Sequence, residues 1–248
     1  MSSTTAGLVP RPASGRVFEG SLRVRLGDVS PAGRLRLDAA ARYLQDLSAD
    51  DTADAALPDA EAWVVRRTVI EVRAFPRYLE PLDLATWCSG TGSHWAERRV
   101  SISGASGGRI DGATIWVHMD LARGRPTRIP PGFDEIYGEA SGGRAVKARL
   151  VHADPPDDAA SRPWPLRFTD FDVLEHVNNA AYWEAVEEAL SARRDLRAPL
   201  RADVEHRNAI ERGAHVELLT ADTAGGGLDL WITADGDVAS TARVVPLA

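Results

Sequence analysis

The sequence predicts an α+β chain made of two similar halves, each with antiparallel strands and one long amphipathic helix, and three observations carry that expectation. From Ala180 to Leu190, apolar Ala181, Ala185, Val186, Ala189 and Leu190 recur at three- and four-residue steps with Glu184, Glu187 and Glu188 between them, which is a helix period. Elsewhere, short runs alternate apolar and polar residues, the period of half-buried strands. The order of strand, acidic turn and helix also occurs twice, at a separation too long for a solenoid unit, which suggests a duplicated domain.

In chain order, residues 1–16 are rich in Ser, Thr, Gly and Pro and are expected to form a disordered tail. A strand follows, because Phe18, Leu22, Val24 and Leu26 alternate with Glu19, Arg23 and Arg25. Gly27 to Gly33 is a turn by its Gly, Pro and Asp content, and a helix is expected from Arg36 to about Ala55, with Leu37, Ala40, Ala41, Leu44 and Leu47 on one side. Strands are predicted at Ala62–Arg73, Leu82–Ser89, His94–Ser103 and Gly112–Asp120, with a hairpin turn at Gly104–Gly108, and Pro126–Tyr137 leaves the sheet. The first domain is thus 17–140 and the Pro- and Asp-rich stretch 141–163 is a linker to a second domain, 164–248.

The second domain opens with alternation at Leu166–Thr169, read as a strand. Asn178 and Asn179 stand where a helix wants its N-cap, since an Asn side chain accepts from a first-turn amide. Further strands are expected near Ala202–Ile210, Ala214–Ala221, Leu228–Ala234 and Ala239–Val245. Matching the halves puts Asp28 where Asp172 falls and Ala32 where His176 falls, and sets Val69–Arg73 beside Asp203–Arg207.

A formal charge of -7 argues against a nucleic-acid surface, which needs a basic face. The single cysteine, Cys88, excludes an internal disulfide and a cysteine-rich metal site, and a reducing compartment is the default. No signal-length or membrane-length apolar run is present, so a cytoplasmic protein is expected. The other histidines, His94, His118, His152, His206 and His215, show no ligand spacing; no metal or cofactor is expected.

Between strand and helix of the second half stand Asp170, Asp172, Glu175 and His176, three carboxylates and an imidazole beside helix amides, suited to activating water next to a polarised carbonyl. The run Asp172-Val173-Leu174-Glu175-His176-Val177-Asn178-Asn179 with Tyr182 resembles the D-x-x-x-H-V-N-N-x-x-Y signature of hotdog thioesterases. Of these it is most similar to the plant-type acyl-[acyl-carrier-protein] thioesterases, which Trp63–Arg67, the stretches around Phe75–Tyr78 and Thr86–Gly92, and Ile115–Asp120 resemble in the same order.

That resemblance implies a tandem hotdog, two antiparallel sheets each wrapping one long helix. It also implies hydrolysis of fatty acyl thioesters of acyl carrier protein, or of CoA, in fatty acid biosynthesis, by a monomer or homodimer. It implies Asp172 as base or nucleophile and His176 orienting water or thioester, with the amides of Val177, Asn178 and Asn179 polarising the carbonyl. The plain structural alternative is that Asp172 and His176 share a buried hydrogen bond while Asn178 caps the helix.

Two family positions differ: an Asn is replaced by Leu174, and a Glu-Cys pair by Ala209 and Ile210. Glu175 and Glu205 are the auxiliary acids available, with Glu211 a further carboxylate nearby. A catalytically silent double hotdog that binds an acyl chain or an acylated partner is therefore the alternative function. Asp28 is expected to be structural. The first half is expected to shape an acyl tunnel through residues such as Trp63, Trp87, Trp95 and Trp116, with Arg66, Arg67, Arg98 and Arg99 available to a phosphopantetheine or acidic carrier surface.

Overall fold

The elements run β1 (Phe18–Arg23), α1 (Leu37–Asp54), β2 (Trp63–Ala74), β3 (Pro81–Thr91), β4 (Trp95–Gly104), β5 (Arg109–Asp120), β6 (Arg125–Pro126) and α2 (Phe133–Ser141) in the first half. The second half adds β7 (Ala160–Pro163), α3 (Asn179–Ser191), β8 (Leu200–His206), β9 (Val216–Asp222), β10 (Leu228–Ala234) and β11 (Asp237–Pro246). They come from a computed structural model that describes residues 8–57 and 62–247. No helix among them is long and apolar enough to cross a membrane.

The strand order, β1-β3-β4-β5-β2-β8-β11-β10-β9-β7, matches each strand with its counterpart from either end, and β6 hangs on β5. Each half therefore repeats the other about an approximate two-fold axis between β2 and β8, where Val69 faces Asp203. The expectation of two separate sheets is corrected here: β2 and β8 pair antiparallel and fuse the halves into one sheet. That pairing uses backbone groups that two isolated sheets would expose at their edges.

Both long helices lie on one face of this sheet. Leu37, Leu44 and Leu47 of α1 and Tyr182, Trp183 and Val186 of α3 share one core with Ile70, Val72, Ala202 and Val204 of the central strands. Strand alternation puts Glu71, Asp203 and Glu205 on the opposite face. There the expected linker lies as a strap: Val151 and His152 donate their amides to Glu205 (2.8 and 3.0 Å), and the Trp231 indole donates to the Ala153 carbonyl (2.8 Å). Its last residues are β7, paired with β9.

Other expectations also change. Of the supposed tail, residues 1–7 lie outside the described residues, but the following stretch is fixed: Arg16 binds Asp51 (2.7 Å) and the Val9 carbonyl accepts from Arg99 (2.5 Å). Gly15, at φ +86°, sits so close to α2 that a Cβ would fall 2.3 Å from the Ala140 nitrogen. Helix α2 itself was not legible in the segment that leaves the sheet. Leu166–Thr169 is not a strand; Phe168–Asp170 forms a single 3-10 turn, because the Asp170 carboxylate accepts from the Arg167 amide (2.7 Å) and folds the chain back.

Candidate active site at the start of the third helix

Hydrogen bonds fix the register of the two halves, and it differs by two residues from the sequence match. Asp28 and Asp170 each end a 3-10 turn and each accept from the amide three residues before, of Arg25 and Arg167. Ser30 donates its amide to the Arg34 carbonyl (2.8 Å), as Asp172 does to that of His176 (3.0 Å). The bridges Val29–Leu35 and Phe171–Val177 also correspond. Asp172 is therefore the counterpart of Ser30 and His176 of Arg34, whereas Asp28 matches the buried Asp170. The structural expectation for Asp28 fits its bonds to Arg42 and to the Tyr43 hydroxyl (2.6 Å).

In this small hairpin Phe171 and Val177 point into the core, so the directly opposed pair Asp172 and His176 shares the outward face. Asp172 is half-buried and His176 exposed, and no hydrogen bond joins their side chains. The Asp172 carboxylate instead accepts from the Leu174 amide (2.9 Å), steadying a tip on which Val173 is 97% exposed and Glu175 takes a φ of 61°. Leu174 and Glu175 are thus on the solvent side of the turn.

Two of the three expected carbonyl-polarising amides are already used. Val177 donates to the Ile210 carbonyl (3.2 Å) and Asn178 to that of Asp170 (2.8 Å), while the Asn178 side chain caps the helix at Ala180 (2.9 Å). The Asn179 amide takes no partner among the described residues. Glu205, expected as an auxiliary acid, is not with Asp172: it is fully buried on the far face of the sheet, under the strap. Ile210 contributes its carbonyl and a buried core side chain, and neither it nor Ala209 offers an acid or a base there.

Tyr182 is buried on α3, edge-on to His206 with ring centroids 4.7 Å apart. Burial raises its hydroxyl pKa, the Ile210 backbone opposes this, and the nearby Asp172 charge adds to the rise. Burial, with the Arg66 charge acting the same way, pushes His206 down to about 4. The unfolded chain takes that proton near pH 6.5 and the folded chain only near 4, so this group leaves stability intact above pH 6.5 and lowers it as pH falls toward 4. His206→Phe is expected to flatten that loss in denaturant melts at pH 7 and 5; an unchanged difference would refute the assignment.

From Asn179 and Ala180 a narrow gap runs between α1 and α3, bordered also by Gln45, Leu44, Trp116 and Trp183. Gln45 and Trp116 border, in turn, an apolar chamber of about 300 Å³ lined by Ala49, Leu57, Trp63, Cys88, Ala96 and Phe133. The chamber lies against α2 and beside the last turns of α1, which is the longer of the two long helices, 18 residues against 13 in α3. Of the expected tunnel tryptophans, Trp63 and Trp116 line it; Trp87 is a core residue and Trp95 bonds the Val146 carbonyl (2.9 Å). Arg98 closes one side of the chamber, held by Asp51 and Tyr137.

His152, Asp203 and Glu205 bring three ligand atoms within 4.8 Å of one another, a grouping invisible in sequence because strap and strand are far apart in the chain. Arg67 already binds Asp203 and lies 3.7 Å from Glu205, and His152 bonds Thr241 (3.0 Å), so the positive charge a metal would bring is present.

A duplicated sheet with one long helix per half, an acid and an imidazole at one helix start, and an apolar chamber beyond it define the double hotdog class. The acyl-ACP thioesterase N-terminal domain matches residues 15–137 and the C-terminal domain of the same family residues 153–244, so the chain belongs to the acyl-ACP thioesterase family. The uncharacterized protein Rv2001 of Mycobacterium tuberculosis is 35% identical over 213 residues, 83% of either chain. A chloroplastic palmitoyl-acyl carrier protein thioesterase of Cuphea hookeriana is 26% identical over 66% of this chain and 42% of its own, so this chain spans less than half of that relative. The 12:0-ACP thioesterase of Umbellularia californica superposes with TM-score 0.75 at 20% identity, over 92% of this chain and 96% of that one. An acyl-ACP thioesterase of Bacteroides thetaiotaomicron does so with TM-score 0.78 at 15% identity, over 92% and 97%.

Proposed function

We propose that this protein hydrolyses fatty acyl thioesters of acyl carrier protein to free fatty acids, with Asp172 as general base and His176 orienting the thioester or the water. The observation that supports this most is the shared outward face of Asp172 and His176 at the start of α3, with a gap at Asn179 that shares Gln45 and Trp116 as walls with an apolar chamber. Asp172 takes a proton from water as the water oxygen adds to the carbonyl carbon. The electron pair on the carbonyl oxygen then returns, the C–S bond breaks, and the thiolate leaves with the proton held by Asp172. The acyl chain lies in the chamber, where apolar walls favour its burial.

Free-thiol release from acyl-carrier-protein and acyl-CoA series tests this. Turnover on the carrier-protein series supports it, turnover on CoA alone would move the substrate, and no release from either would end the hydrolase reading in favour of a binding role. Ala96→Phe, which fills the chamber, is expected to cost the longest substrates about tenfold or more in kcat/KM while sparing shorter ones, the scale on which apolar pockets discriminate. A uniform loss across chain lengths would place the acyl tail elsewhere.

A further inference from the structure

We propose that Gln45 of α1 supplies the side-chain hydrogen bond that, with the Asn179 amide, holds the thioester carbonyl; this rests on the hydrolase reading above. The duplication makes the case. In the first half the start of α1 is closed: Leu37, the counterpart of Asn179, donates its amide to the Glu187 carboxylate (3.1 Å) reaching over from α3. Arg34, the counterpart of His176, crosses to that same carboxylate (2.7 Å) and stacks on Phe75. A carbonyl cannot enter there, because an anion and a guanidinium already satisfy the helix end.

The residue related to Glu187 by the same repeat, on α1, is Gln45. Asn179 and Gln45 border one gap, as the two-fold requires, yet the bond corresponding to Leu37–Glu187 is not made. Neither the Asn179 amide nor the Gln45 side chain has a partner among the described residues, and the buried indole N–H of Trp116, whose ring lines the same gap, is also unpaired. A neutral amide here leaves two donors bordering a gap that is walled off from the acyl chamber only by residues common to both, Gln45 and Trp116, where a carboxylate would consume them. The Gln45 amide thereby replaces the Val177 and Asn178 amides, which the hairpin has already used. It would strengthen its bond as negative charge gathers on the carbonyl oxygen.

Gln45→Ala tests the donor, and Gln45→Glu copies the closed half. Helix position 45 tolerates both by propensity, and thermal melts check folding. Both variants are expected to lose roughly 10²-fold or more in kcat, with KM within a few-fold and the pH profile of the remaining activity unmoved. An active parent whose variants keep kcat, or lose only in KM, would overturn the role of Gln45 and leave the hydrolase intact. A parent that releases no thiol would overturn both.

Discussion

Asp172→Asn is expected to cut kcat for thioester hydrolysis by roughly 10² to 10⁴-fold without a change in melting temperature. The asparagine carbonyl oxygen can accept the Leu174 amide just as the carboxylate does, so the hairpin keeps its shape and only the proton acceptor is lost. Ser30, which holds the same place in the first half, provides the control. Ser30→Ala is expected to leave kcat unchanged, because the neighbouring helix start is already closed by Glu187. Thiol release measured on all three proteins, with a thermal melt of each, decides the matter. An Asp172→Asn variant with parental kcat would remove this carboxylate from the chemistry and leave His176 and water to account for turnover.

Much of this site was legible in the chain and part was not, for identifiable reasons. Helix α3 and its Asn178 cap followed from apolar spacing and from the chemistry of a side chain that accepts a first-turn amide. The register between the halves did not follow, because the second half offers two acids, Asp170 and Asp172, where the first has only Asp28. Only the amide each carboxylate accepts tells them apart. The strap over the sheet resembled a linker because it is anchored largely through its backbone, the amides of Val151 and His152 and the carbonyl of Ala153, which carry no sequence signal. Gln45 lay beyond reach for another reason: it meets Asn179 only through the two-fold that pairs β2 with β8, and a lone glutamine on a helix reads as solvated surface.

Glu205→Ala is expected to destabilise the fold by about 3 to 5 kcal/mol, the cost of removing one member of a buried ionic cluster. The carboxylate accepts the Val151 and His152 amides and lies 3.7 Å from the Arg67 guanidinium, with 0% of the residue exposed. Its loss leaves two strap amides without an acceptor and the half-buried Arg67 with one carboxylate fewer, and a melting temperature lower by roughly 10 °C is the readout for a chain of this size. Glu205→Gln keeps one carbonyl oxygen for the strap and should lose less. In both variants kcat per folded molecule is expected to stay at the parental value, because the far face of the sheet separates this group from Asp172 and the helices. The opposite pattern, an intact melt with hydrolysis abolished, would restore Glu205 as the auxiliary acid and require a path across the sheet between the two carboxylates.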